Sequence, residues 1–198
     1  REESGKVLNS VVHTLTRASA NDRQRIDQIA LLDIALRFNP DILVVGEMRG
    51  AEANAAQEAA RTGVAVVTTI HSNSCEATYR RMVSLCKRAV DMSDETLMGY
   101  VTEAYPIIVF CKQLENRQRV IMEIMECEIK PDGTRRYRPL YQYEIMENQL
   151  EGDYFVVNGK HRVMNSISDG LYKRLLENGM PMETLNRFRS KGEGGEES

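Results

Sequence analysis

The sequence has no marked excess of charge of either sign: 26 Lys and Arg stand against 29 Asp and Glu, a formal charge of −3. A dedicated nucleic-acid binder carries a basic excess, so this balance argues against DNA or RNA as the partner. Cysteine is sparse and scattered. Cys75, Cys86, Cys111 and Cys127 form no CxxC pair, a pattern that suggests neither a zinc clip nor a disulfide framework and predicts reduced thiols. No apolar stretch approaches the roughly 20 residues that a membrane-crossing helix needs. The opening REESGKVLNS has no signal-peptide hydrophobic region. A soluble chain is expected, and its start at Arg1 rather than Met predicts a fragment or a processed chain. At 198 residues there is enough for one ordinary domain, or one domain with an appendage, and so for a sizeable core.

What is present has a recognisable order. Residues 26–38, IDQIALLDIALRF, are apolar nearly all round and read as a buried helix. It stops at Asn39-Pro40, because proline disfavours helical geometry in the residue before it. The run Ile42-Leu43-Val44-Val45 then reads as a parallel strand covered on both faces. An alanine-rich helix follows from about Ala51 to a C-terminal cap at Gly63, and Val64 to Ile70 make a second buried strand. Strand, helix and strand over about 30 residues form a βαβ unit with a right-handed crossover. Residues 75–89 and 93–104 read as two further helices, the second opened by a serine cap. Strands are expected from Pro106, from Arg119 to a KPDG turn, and through YRPLYQYEI. This antiparallel meander is expected to extend one edge of the parallel sheet. Residues 151–188 are less apolar, with SDGLYKRLLENGM as their clearest helix and Gly179 as its stop. The closing SKGEGGEES is low in complexity and expected to be disordered. There is no internal repeat.

In open α/β sheets ligands sit beyond the carboxyl ends of the parallel strands. Glu47 and Arg49 follow the first strand and His71 follows the second, so neighbouring strands bring an acid, a cation and an imidazole to one rim. Such a set suits a phosphate site, where Glu holds magnesium through water or orients the attacking water while Arg and His neutralise developing charge. Each has a plainer reading. Glu-x-Arg after a strand is commonly a surface ion pair of small energetic consequence, and a lone histidine is commonly structural; His13 and His161 are read that way. RRYRP, residues 135–139, offers a basic and aromatic nucleic-acid contact or else the charged face of a hairpin. A P-loop, G-x-x-x-x-G-K-[ST], is absent. SGKV has Val7 where Ser or Thr belongs, and NGKH has Tyr154 in place of the first glycine. The site so read has hydrolytic groups and no cradle of N–H groups for the phosphates.

These residues resemble the traffic ATPases of type II and type IV secretion and of pilus assembly. PDILVVGEMRG, residues 40–50, is similar to their Walker B segment, and TTIHSNS, residues 68–74, to their histidine box at the family's usual separation. Upstream, VVHTLTRASAN resembles the strand and arginine-bearing loop before the Walker B helix, and REES the acidic box. Downstream, RVIMEIMECE and GDYFVVNG resemble the tight-adherence pilus branch.

The resemblance implies a RecA-like P-loop NTPase half-domain, α/β, with a parallel sheet carrying helices on both faces, an antiparallel extension and C-terminal helices. Residues 1–150 would be the C-terminal half of the RecA-like domain, 151–189 a small C-terminal helical subdomain and 190–198 a disordered tail. It implies ATP as substrate and magnesium near Glu47, bound through water. Glu47 is then the Walker B glutamate, Glu2 or Glu3 an acidic-box residue able to activate water, and Arg17, Arg49 and His71 contact the nucleotide. The implied assembly is a homo-hexamer in the full-length protein. It is cytoplasmic, at the inner face of the cell membrane beneath an inner-membrane platform protein, with no nucleic acid and no structural zinc. A RecA-like nucleic-acid motor and a non-catalytic module lacking the P-loop are the alternatives, and the isolated chain is expected to be inactive.

Overall fold

The computed structural model describes residues 10–190 and, before them, the backbone of Glu2, Glu3, Lys6 and Val7. Two short strands, β1 (Glu2–Glu3) and β2 (Lys6–Val7), pair antiparallel. The chain then closes a loop through an antiparallel bridge between Arg17 and Ile26 and enters α1 (Gln28–Arg37). Asp27 caps that helix by accepting from Ala30 N–H at 2.9 Å, the usual way one orphan donor of the first turn is satisfied. Asn39, at φ 50°, and Pro40 end it, where the sequence predicts.

β3 (Ile42–Val45), α2 (Glu52–Arg61) and β4 (Ala65–Thr68) form the expected βαβ unit, with β3 and β4 parallel and in register from Ile42↔Ala65 to Val45↔Thr68. The crossover helix stops at Gly63, whose φ of 107° costs a glycine nothing. Three helices then pack together: α2, α3 (Cys75–Cys86) and α4 (Asp94–Ala104). Ser74 and Ser93 cap the last two, accepting from Ala77 and Thr96 N–H.

β5 (Ile107–Gln113), β6 (Arg119–Ile129), β7 (Arg135–Glu151) and β8 (Tyr154–Val163) follow as an antiparallel meander in the order β5-β6-β7-β8. Two helices close the described chain, α5 (Asp169–Glu177), stopped near Gly179, and α6 (Met182–Ser190). None of the described helices is long and apolar enough to cross a membrane.

The fold is α/β with an antiparallel sheet, and it departs from the sequence reading in four places. First, the meander does not extend the parallel sheet; it is a sheet of its own. α3 packs on β5 and β6, and α4 on β6, so helices rather than backbone ladders join the two layers. Tyr79 and Met82 of α3, Leu97 and Val101 of α4 and Met125 of β6 fill the space between and are almost wholly buried. The Tyr79 hydroxyl donates to Tyr105 O at 2.6 Å, and its ring stacks with Tyr137.

Second, the parallel sheet has two strands among the described residues and is covered on one face. Leu43, Val45 and Val66 turn toward the core, whereas Ile42, Val44 and Val67 are 62%, 70% and 58% exposed. A parallel sheet normally has both faces covered, as was expected of this one. Third, residues 154–163 are a strand along β7. The alternation that marks it is masked by the charges of GKHR, and β7 is longer than expected because its far half pairs with β8 alone. The helical part of 151–189 therefore begins at Asp169. Fourth, the helix read as buried has Leu32 as its one buried residue, while Ile34 and Phe38 are 47% and 64% exposed. Of residues 190–198, read as a disordered tail, Ser190 ends α6 and 191–198 lie outside the described residues.

Candidate functional site at the strand ends

The ladder of β3 and β4 ends at Val45↔Thr68, and hydrogen bonds beyond it keep the two chains together. Met48 N–H donates to Thr69 O at 2.9 Å, and the Thr69 hydroxyl donates to Gly46 O at 2.6 Å. Met48 is wholly buried, an anchor between two residues that reach outward. On that frame Glu47, Arg49 and His71 meet. Glu47 Oε2 lies 2.5 Å from Arg49 Nη2, and Glu47 Oε1 lies 3.2 Å from His71 Nε2. The carboxylate is the recessed member, its side chain 24% exposed against 74% for Arg49 and 85% for His71.

The bond from the Arg49 guanidinium holds the Glu47 carboxyl below the usual carboxylate range. Desolvation opposes that effect, and Coulomb attraction to Arg49, to a protonated His71 and to Arg81 adds to it. Glu47 in turn raises Arg49. The two Glu47 oxygens differ in kind. Oε2 is bonded to Arg49. Oε1 is buried, and its approach to His71 lacks hydrogen-bond geometry, so it keeps its acceptor capacity. An ionised carboxylate with one oxygen fixed and the other unclaimed can accept from a water, or from a metal-bound water.

The loop that carries these groups is held from three sides. Gln28 Nε2, at the start of α1, donates to Glu47 O at 3.0 Å. Arg88 Nη1, just beyond α3, donates to Arg49 O at 2.9 Å. Glu52 Oε1, in the first turn of α2, accepts from Arg49 N–H at 2.6 Å and from Gly50 N–H at 2.8 Å.

Of the residues singled out from sequence, Glu47, Arg49 and His71 thus come together. Arg17 stands apart from them. Its Nε donates to Gln24 O at 2.6 Å, and it lines an open cleft of about 490 Å³ whose wall includes Arg25, Asp27, Gln28 and Glu52. The cleft therefore adjoins the Glu47 loop through Gln28 and Glu52. The side chains of Glu2 and Glu3 lie outside the described residues. No cluster of three or more His, Cys, Asp or Glu suited to a metal occurs among the described residues.

The plainer candidates also have places. His161 Nε2 lies 3.0 Å from Ile121 O, and its ring meets the Tyr143 ring edge-on. In RRYRP, Arg135 pairs with Glu95 and Arg138 with Glu128. Those two arginines serve the protein's own carboxylates.

A model of the family described as type II/IV secretion system protein matches residues 8–187. The chain belongs to that family. The Pseudomonas aeruginosa type IV pilus assembly ATPase PilB is 38% identical over 179 residues, 90% of this chain and 31% of its own length. An uncharacterised protein of Methanocaldococcus jannaschii is 27% identical over 187 residues, 93% of this chain and 63% of its length. The chain therefore spans about two thirds of one of these relatives and about a third of the other. Among solved structures, the VirB11 ATPase of the Brucella suis type IV secretion system, in complex with sulphate, aligns at TM-score 0.47 and 23% identity. That alignment covers 51% of this chain and 32% of that one.

Gln28, Glu52, Arg81 and Arg88 were missed by the sequence reading. An acid in the first turn of a helix that follows a strand-end loop is a usable signal for Glu52. Nothing local marks Gln28 or Arg88, which reach the loop from 19 and 39 residues away in sequence.

Proposed function

We propose that the chain is part of an ATPase that couples ATP hydrolysis to protein secretion or pilus assembly. The observation that carries this reading is the meeting of Glu47, Arg49 and His71 at the carboxyl ends of two parallel strands, the place where α/β sheets bind ligands. Family membership and the likeness to a pilus assembly ATPase support the process. Glu47 is the Walker B glutamate, recessed and ionised, and it orients the attacking water. Its unclaimed Oε1 fits a magnesium ion held through water, since magnesium keeps several waters and takes one or two carboxylates beside the phosphates. When bound, the ion supplies charge neutralisation at the phosphate oxygens. Arg49 and His71, both largely exposed, reach outward to the phosphates, and Arg17 does so from the adjoining cleft. Glu2 or Glu3 supplies a second carboxylate.

The open face bearing Ile42, Val44 and Val67 is where further layers complete a RecA-like domain, to which residues 1–150 contribute. Residues 151–189 form an appendage to it. In the full-length protein the assembly is a homo-hexamer, cytoplasmic, against an inner-membrane platform protein, with ATP and magnesium and without nucleic acid. The phosphate cradle comes from a P-loop outside these 198 residues. ATP hydrolysis by the full-length protein, with and without its membrane partner, tests the reading. Absence of magnesium-dependent turnover in both states overturns it. Calorimetry on residues 1–198 alone tests the division: no micromolar magnesium-ATP binding is expected, and such binding overturns it.

A further inference from the structure

α2 begins without a side-chain cap, because its cap position is Ala51. The acid in its first turn does not make good that lack. Glu52 is 8% exposed, and its carboxylate turns back past the helix to Arg49 and Gly50 N–H, donors that precede α2. Both bonds fall on one atom, Oε1. Ala53 and Asn54 N–H bond instead to Gly50 and Ala51 carbonyls. A buried carboxylate whose partners lie in the loop acts on the loop.

That loop is the one that presents Glu47. Met48 N–H goes to Thr69 O, Glu47 O receives Gln28, and Arg49 O receives Arg88. Adding Glu52, the main chain from Glu47 to Gly50 is pinned by residues just past β4 and α3 and by the first turns of α1 and α2. The fit at Gly50 is close as well: a Cβ there would stand 2.9 Å from Glu52 Oε2, so a side chain at position 50 displaces the carboxylate. Arg49 is the residue most affected, since Glu52 holds its N–H while its guanidinium holds Glu47 Oε2.

We propose that Glu52 is a positioning residue for the Glu47 carboxylate, acting through the N–H groups of Arg49 and Gly50. The proposal rests on Glu47 being the hydrolytic glutamate. A carboxylate misplaced by about 1 Å loses up to about a hundredfold in rate while substrate affinity is kept.

The test uses three substitutions in the full-length protein, with Glu47→Gln as the control. Glu52→Gln keeps an acceptor oxygen at the same reach and removes the charge; Glu52→Asp keeps the charge near the helix N-terminus and shortens the reach by one methylene. Glu52→Gln is expected to hold kcat within about threefold, whereas Glu52→Asp and Glu52→Ala lower it about ten- to a hundredfold, with KM for ATP within about twofold. A role in helix charge alone gives the reverse order, Asp active and Gln slow, and overturns the proposal. So does wild-type kcat in Glu52→Asp, or a rise in KM that accounts for the whole loss. Should Glu52→Ala fail to fold, the Gln and Asp pair decides. Glu47→Gln separates the two failures: wild-type turnover there defeats the reading of Glu47, while an inactive Glu47→Gln beside an active Glu52→Asp defeats only the role of Glu52.

Discussion

Glu47 Oε1 and His71 Nε2 stand 3.2 Å apart across the ends of two parallel strands, near enough to pair yet without hydrogen-bond geometry. The carboxylate therefore retains an acceptor site in a recessed position, with Arg49 fixing its other oxygen. Glu47→Gln keeps the shape and removes the charge. In the full-length protein ATP binding is expected to stay near wild type while turnover falls at least about a hundredfold. Nucleotide titration and steady-state hydrolysis on the same preparation check this; turnover within a few-fold of wild type contradicts it.

His71 is 85% exposed at its side chain, so removing the imidazole opens no cavity. His71→Ala in the full-length protein is expected to slow hydrolysis more than it weakens ATP binding, with ADP affinity and melting temperature nearly unchanged. A group that meets the transferred phosphoryl contributes most as that charge redistributes. A fall in melting temperature with unaltered turnover per folded molecule would mark a structural histidine instead.

Glu126, 2% exposed on β6, accepts from Ser168 N–H at 2.9 Å and from the Ser168 hydroxyl, and Ser168 Oγ also accepts from Leu171 N–H at 3.1 Å as the cap of α5. The Glu126 side chain thus ties the start of α5 to the antiparallel sheet. Ser168→Ala removes the cap and leaves a buried carboxylate oxygen without its donor, a combined cost of about 2–4 kcal/mol. Amides of α5 are expected to exchange with solvent at least about thirtyfold faster. Unchanged exchange there removes the docking role.

The four thiols are predicted to divide by burial. Cys86 and Cys127 are buried, and desolvation pushes each thiol up to about 11; Cys75 is pushed higher still, while Cys111 is exposed. The thiolate is the reactive form, so at pH 8 the native chain is expected to show one fast-reacting thiol toward an aromatic disulfide reagent. All four react in denaturant. Two or more fast thiols in the native chain contradict the packing around α3 and β6.

The βαβ unit and the residues at its rim are legible in short stretches of sequence. Asn39-Pro40, the run Ile42 to Val45, the alanine-rich helix and Gly63 are local signals, each decided within a turn or a strand by backbone sterics and burial. Because β3 and β4 pair in parallel, residues two to four positions past their ends gather at one edge, and Glu47, Arg49 and His71 follow from that. Features that need distant parts of the chain were set by packing. The separation of the two sheets depends on how α3 and α4 fill the layer between them, which no short stretch encodes. The open face of Ile42, Val44 and Val67 is invisible in a hydrophobic run that reads equally as covered on both sides. β8 is defined by its pairing with β7 more than by its own composition. The bonds of Gln28 and Arg88 to the Glu47 loop are closed by chain folding over 19 and 39 residues. Periodicity predicts where a side chain points, and the partner that meets it is set by packing.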